Sequence, residues 1–134
     1  MEWEMVMAKF LTILSGNSLN DKIWELAKPL IYESDIIGKI EVPEGFQTDF
    51  ASVPRVPIAY TLFGDKAHHE AVIHDYLYRI DSIPQASYSQ ANDCFLEAMK
   101  VRGKSLFIRY SMYWGVVIGG WANYHKRYVG DKLV

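Results

Sequence analysis

The sequence predicts an α+β fold in which a small N-terminal antiparallel β-meander is followed by three helices. Before residue 60, short runs of alternating apolar and polar residues are separated by turn residues, as is typical of strands. After residue 66, apolar residues recur at helical spacing between capping signals. The chain has 134 residues, half of them hydrophobic, which is enough for one core. No repeat or linker interrupts it, so we expect a single domain over 1–134.

The strand-rich part is predicted to cover residues 1–60. Its strand segments are 8–15, 22–33 and 36–42. Pro29 lies within the second segment and indicates an edge position or a bulge, because proline cannot donate to a strand ladder. From residue 46 to 64 the chain is punctuated by prolines and a glycine, which predicts an ordered loop.

The helical part is predicted to cover residues 67–128. Its helices are predicted at 67–80, 87–103 and 105–128. Ser87 and Gln90 form a capping-box pattern at the start of the second helix, and Gly103 is the expected C-terminal cap. In the third helix, Gly115, Gly119 and Gly120 would allow another part of the chain to approach closely.

Composition excludes several classes of protein. Fourteen basic and 16 acidic residues give a net charge of −2, so we expect no binding of nucleic acid by bulk electrostatics. The single cysteine, Cys94, rules out an internal disulfide framework, and its place among apolar residues indicates a core position. The amino end has acidic residues where a signal peptide needs basic ones, and the apolar stretch 112–122 is about half a bilayer span. We therefore expect no signal peptide and no integral membrane protein.

The segment around His74 carries the clearest candidate chemistry. His74 and Asp75 point about 100° apart on a helix, so they would serve two neighbouring tasks. The imidazole could act on water or substrate, and the carboxylate could face a cation. Tyr78 lies one turn beyond His74 on the same face, where its hydroxyl could brace a partner group.

A catalytic histidine needs an acceptor that fixes its second ring nitrogen, and the next helix offers two. The helical wheel places its apolar stripe at Ala91, Cys94, Phe95 and Ala98. Asn92 then lies at the edge of the stripe, whereas Asp93 falls nearly opposite it. Geometry favours Asn92 and chemistry favours Asp93, so both remain candidate partners of His74.

A metal site is predicted from oxygen ligands on two segments. Asp49 and Asp75 supply carboxylates, and the backbone carbonyl of Phe50 lies in an irregular loop. Such oxygen donors suit Ca²⁺ better than Zn²⁺. The zinc alternative would use His68, His69 and His74 with Asp75, but their spacing makes the histidines diverge on a helix.

Four motifs together resemble a known family. They are TDFASVPR at 48–55, HDYLY at 74–78, a polar residue three positions before Phe95, and RYSMYWGVV at 109–117. In this order they resemble the phage-associated family catalogued as domain of unknown function 1353, which comes with no settled activity. The resemblance covers residues 40–124.

More distantly, the chain is similar to the bacterial and fungal phospholipases A2. That resemblance implies a phospholipase A2-like helical core with His74 as general base, Asp75 as a calcium ligand and Tyr78 supporting the partner of the histidine. It also implies that Asp49 and the Phe50 carbonyl complete a calcium site. The position that matches the catalytic aspartate of those enzymes is Asn92 here, and their disulfides are absent.

The function expected from these resemblances is that of a phage-encoded, calcium-assisted ester hydrolase, with a phospholipid or another ester as its substrate. One alternative is a catalytically inert virion or tail-associated protein that contacts other phage structural proteins. Another is a small phage effector that binds a host protein. In each case we expect synthesis in the host cytoplasm, with virion association as a further expectation.

Overall fold

The computed structural model of the chain describes residues 7–20, 22–50 and 68–134. In these residues, short antiparallel strands form two three-stranded sheets, and three α-helices follow them. The predicted α+β class, with its N-terminal β-meander, is confirmed. The strands are β1 (Lys9–Phe10), β2 (Gly16–Ser18), β3 (Trp24–Leu26), β4 (Leu30–Ser34), β5 (Gly38–Val42) and β6 (Gln47–Thr48). The helices are α1 (His68–Leu77), α2 (Tyr88–Val101) and α3 (Leu106–Gly119).

The first sheet has the order β1-β4-β5, and its buried apolar side chains pack against α1 and α2. Along β4, Leu30, Tyr32 and Ser34 are buried in alternation, as the period of two in a strand requires. The hairpin between β4 and β5 turns at residues 35–37 and continues at Gly38, whose φ of +86° favours glycine. In this hairpin every second side chain from Leu30 to Ser34 is buried, and Ile40 and Val42 are buried on the partner strand. Strand β4 contacts α2, and β5 contacts α1.

The second sheet, β2-β3-β6, corrects one prediction. Segment 22–33 is not one strand with an irregularity at Pro29, because it divides into β3 and β4, which belong to different sheets. Pro29 lies between them, directly before β4, and it has no N–H to donate to either sheet. The same sheet ends in β6, and this places Thr48 beside α1.

Helix α2 packs between α1 and α3 and begins as the sequence predicts. Ser87 Oγ accepts the Gln90 N–H at 3.1 Å, and Gln90 Oε1 accepts the Ser87 N–H at 2.9 Å, so the capping box is confirmed. The predicted apolar stripe is confirmed too, because its members are fully buried: Ala91, Cys94, Phe95 and Ala98. Gly103 follows the helix at a φ of +81°.

The third predicted helix, 105–128, is too long. Helix α3 ends at Gly119, and a single 3₁₀ turn follows at Gly120–Asn123. Two consecutive glycines weaken the helix, because glycine loses more backbone entropy on ordering than other residues do. His125 then has a φ of +57°, which turns the chain back towards α1, where its N–H bonds the Tyr78 carbonyl at 2.8 Å.

Part of the sequence interpretation lies outside the described residues. The predicted ordered loop 46–64 is described only as far as Phe50, and the motif at 48–55 only for its first three residues. The amino end, residues 1–6, is also outside them. Among the helices that the structure describes, none combines the length and the apolar character needed to cross a bilayer.

Replacing Ser87 by alanine is expected to lower the free energy of unfolding by about 1 kcal/mol, because the Gln90 N–H at the start of α2 loses its acceptor, Ser87 Oγ. The matched control is Ser111→Ala, which removes an exposed serine in the middle of α3. Urea unfolding of both variants measures the difference. Equal stability of the two variants would contradict the assigned cap.

Candidate functional site

His74 lies between α1 and α2 with its side chain bonded to Asn92. The distance from His74 Nε2 to Asn92 Oδ1 is 2.8 Å, and Tyr78 Oη donates to the same oxygen at 2.6 Å. All three side chains are buried. Of the two partners that the sequence leaves open for His74, the structure brings Asn92 to the imidazole.

Helical geometry explains why these residues meet. His74 lies on α1, and Tyr78 directly follows the last residue of α1 with its N–H bonded to the His74 carbonyl at 3.1 Å. The two side chains are therefore one helical turn apart and both face α2, with their ring centroids 4.1 Å apart. Phe95 of α2 also packs against the imidazole, with the two ring centroids 4.9 Å apart. Asn92 lies one turn before Phe95, at the edge of the apolar stripe, and its side-chain oxygen reaches the imidazole of His74. The ring is therefore held by packing as well as by its hydrogen bond.

The surroundings keep the imidazole of His74 neutral. Burial lowers its pKa to about 4, against the opposing effects of the Asn92 hydrogen bond and the Asp75 charge. An amide oxygen only accepts hydrogen bonds, so the neutral ring carries its proton on Nε2 and leaves Nδ1 unprotonated. Burial also raises the pKa of Tyr78, which keeps its hydroxyl a donor to Asn92. The network thus selects one tautomer.

Asp93 belongs to a different part of the surface. It is half-buried, and its Oδ1 accepts the hydroxyl of Tyr113 at 3.0 Å. Tyr113 is on α3, so Asp93 joins α2 to α3, whereas Asn92 joins α2 to α1.

Cys94, the next residue, is fully buried, and burial raises the pKa of its thiol to about 11. The prediction that this cysteine is a core residue is confirmed.

The carboxylates predicted to hold calcium each contact an arginine. Asp75 Oδ2 lies 3.4 Å from Arg79 Nη2 and also accepts the hydroxyl of Thr48. Asp49 faces Arg127 with both oxygens, at 3.2 and 3.3 Å. Such pairs neutralise the carboxylates within the protein, and the Asp49–Arg127 pair has the two-pronged geometry that arginine favours.

Phe50 is held by its own side chain and backbone. Its ring is buried against Trp24 with centroids 6.4 Å apart, and its N–H donates to Thr48 Oγ1 at 2.9 Å. Its φ of +58° lies in the left-handed region, which is uncommon for a bulky residue. The sharp turn that follows β6 thus depends on Thr48, which bonds both Phe50 and Asp75.

The carboxylates of the predicted metal centre are engaged in other contacts in the described structure. Ca²⁺ takes six to eight oxygen ligands, whereas the two candidate carboxylates already bind arginine and threonine. Among residues 7–20, 22–50 and 68–134, no group of three or more His, Cys, Asp and Glu side chains could hold a metal ion. His69, from the zinc alternative, accepts the Leu14 N–H at 3.0 Å instead. The calcium site stays a prediction.

Sequence reasoning missed both arginines and the threonine. Arg79 follows Asp75 by four residues, and this helical spacing of opposite charges is a signal that could have identified the pair. Arg127 is 78 residues from Asp49, so no local pattern connects them. Thr48 was part of the quoted motif without a role, and its two hydrogen bonds show why the position carries a short hydroxyl side chain.

Comparison with known proteins identifies one family. Residues 24–116 match the family described as "Protein of unknown function (DUF1353)". The chain belongs to the DUF1353 family. The match runs from β3 almost to the end of α3, so it includes His74, Asp75, Tyr78 and Asn92. No curated protein and no solved structure matches this DUF1353 chain.

Replacing Gly120 by alanine is expected to disturb the network around Asn92. A Cβ at this position would lie 2.5 Å from Tyr78 Oη and 3.3 Å from two of its ring carbons. The Tyr78 ring is confined by Tyr88 and Tyr124, so we expect a loss of roughly 1–3 kcal/mol in unfolding free energy.

The neighbouring Gly119 provides the matched control, because a Cβ there would meet nothing within 4 Å. Gly119→Ala should leave stability unchanged or slightly raised. Urea unfolding of the two single variants measures the difference. If both variants unfold at the same urea concentration, the close approach of Gly120 to Tyr78 is contradicted.

Proposed function

We propose that this chain is a phage-encoded, phospholipase A2-like hydrolase in which His74 is the general base for the hydrolysis of an ester, with phospholipids as the first substrates to test. The observation that carries the proposal is the network of His74, Asn92 and Tyr78. A base on one helix, an orienting acceptor on the antiparallel helix and a supporting tyrosine hydroxyl are the parts that the phospholipase A2 resemblance requires.

In the proposed reaction the chain moves one proton. Nδ1 of His74 takes a proton from water while the water oxygen attacks the ester carbonyl carbon. The imidazolium then returns the proton to the alcohol oxygen as the ester C–O bond breaks, which yields a carboxylic acid and an alcohol. Asn92 holds the ring through Nε2, and Tyr78 fixes the amide oxygen of Asn92.

In this proposal, Asn92 limits how well the protonated form of His74 is stabilised. Its oxygen accepts two hydrogen bonds, but it carries no charge to stabilise the imidazolium that forms on His74. Its Nδ2 is buried without a hydrogen-bond partner among the described residues. An aspartate of the same size would remove that unsatisfied donor and supply the missing charge. Asn92→Asp is therefore the most informative substitution at the site.

Fatty-acid release from vesicles of mixed phospholipids tests the proposal, with arms containing added calcium or a chelator. His74→Gln should lower turnover by at least about 100-fold, the usual contribution of a general base. Asn92→Asp should raise turnover by about tenfold or more, because a charged partner stabilises the imidazolium. The control His69→Gln changes another histidine of α1 and should retain wild-type turnover.

The outcomes separate the proposal from its failure. Turnover that depends on His74 and rises with Asn92→Asp supports the hydrolase. Absence of turnover in both wild type and Asn92→Asp, in every lipid and with or without calcium, overturns it. The calcium and chelator arms also test the predicted cofactor, since metal dependence would require the Asp49 and Asp75 carboxylates to exchange their arginine partners.

A second candidate function is a catalytically inert virion or tail-associated structural protein, and two observations favour it. His74 has no exposed surface, and both candidate ligand carboxylates are paired with arginines. Such interactions stabilise a fold without any need for a substrate. This candidate predicts a fixed copy number of the chain in purified particles of the encoding phage, measured by quantitative mass spectrometry. Absence from the particles would exclude it.

A further inference from the structure

Helix α3 leaves most of its apolar surface uncovered. Only Met112 and Val116 of its 14 residues are buried against the core. On the opposite side, an exposed apolar stripe runs along α3 and into the 3₁₀ turn; it consists of Phe107, Tyr110, Trp114, Ile118 and Trp121. These side chains recur every three or four residues and are between 46% and 72% exposed. Single exposed apolar residues are normal, but a continuous row of large ones marks a contact surface.

The charge distribution around this helix is one-sided. Residues 98–130 contain six lysines and arginines and no acidic residue, whereas all 16 acidic residues lie in the rest of the chain. Basic residues stand on both flanks of the stripe: Lys100, Arg102 and Lys104 precede α3, and Lys126 and Arg127 follow its 3₁₀ turn. A net charge near zero for the whole chain therefore conceals a basic C-terminal segment.

Some of these cations are already paired. Lys104 and Arg102 lie 3.0 and 3.7 Å from the buried carboxylate of Glu70, and Arg127 binds Asp49. Lys100 and Lys126 are exposed and form no ion pair with the residues that the structure describes. The flanks thus keep positive charge available for a partner outside the chain.

We propose that the apolar stripe of α3 is a docking face for an anionic lipid surface, on which the helix lies parallel to the membrane plane. Tryptophan and tyrosine favour the interface between headgroups and acyl chains, and the stripe contains three such residues. Flanking lysines and arginines are attracted to anionic headgroups. Segment 98–130, which contains the stripe, has no acidic residue that an anionic membrane would repel.

A second copy of the chain is a poorer occupant of this face. Two copies joined through the stripe by a two-fold axis would bring their basic flanks together without a compensating acidic residue from 98–130. The lipid proposal goes beyond the proposed function, because docking on a membrane needs no activity of His74. A protein that is inert towards esters would still bind by this face.

Flotation of the full-length protein with vesicles tests the proposal. Vesicles containing about one-third phosphatidylglycerol should carry the protein to the top of the gradient, whereas pure phosphatidylcholine vesicles should not at moderate salt. Trp114→Ser combined with Ile118→Ser should weaken binding by about tenfold or more, because two side chains that would enter the membrane interface lose their apolar area. Ile13→Ser combined with Ile83→Ser is the matched control, since both isoleucines are exposed elsewhere.

The electrostatic part needs its own pair of variants. Lys100→Glu with Lys126→Glu should abolish binding to the anionic vesicles, and Lys28→Glu with Lys39→Glu, which changes net charge equally, should reduce it far less. Circular dichroism verifies that each variant is folded. The proposal is overturned if wild type does not float, if the stripe variant floats like its control, or if the two charge variants lose binding equally. A dimer in analytical ultracentrifugation that the stripe variant abolishes would assign the face to a second copy instead.

Discussion

The hydrogen bond between His74 and Asn92 is the constraint on which the arrangement of the helices depends. An imidazole buried without a partner would be costly, because a polar group taken out of water must replace its lost hydrogen bonds. Asn92 supplies that replacement at 2.8 Å, and Tyr78 binds the same oxygen. The spacing and rotation of α1 relative to α2 must satisfy this contact. Gly120 then leaves the space that the Tyr78 hydroxyl needs.

Two arginines organise the charges around this network. Arg79 holds Asp75 next to the histidine, and Arg127 returns from the end of the chain to Asp49. Arg79 also donates to the Gln47 carbonyl at 3.1 Å, so α1 is joined to the second sheet at β6. The carboxylates beside His74 therefore act in the described structure as anchors between the helices and the strands. The proton transfer in the proposed chemistry uses the histidine and its amide partner, and the charge of Asp75 opposes the lowering of the histidine pKa by burial.

What the sequence predicted well is local. The capping box at Ser87 and the stripe around Phe95 follow from helical periodicity, which a sequence displays directly. The same helical wheel favoured Asn92 over Asp93 as the partner of His74, and Asp93 stayed a candidate only because a charged partner suits the chemistry better. The contacts of α2 with α1 and α3 then separate the two residues, which lie 100° apart on the helix. The division of the strands into two sheets and the Asp49–Arg127 pair were missed for a related reason, since both depend on contacts between distant parts of the chain.

The position of the proton on His74 is the most direct test of the hydrogen bond from its Nε2 to Asn92. Long-range ¹⁵N–¹H correlation spectra of the imidazole, followed through a pH titration, should show a protonated Nε2 and an unprotonated Nδ1 at neutral pH. Because burial lowers the pKa, the ring should stay neutral until the pH approaches about 4. An unfolded chain would take up the proton near pH 6.5, so the folded state should lose stability as the pH falls from there towards 4. A ring that titrates near 6.5 in the folded protein would contradict the buried, neutral imidazole. A proton on Nδ1 would contradict the hydrogen bond from His74 to Asn92.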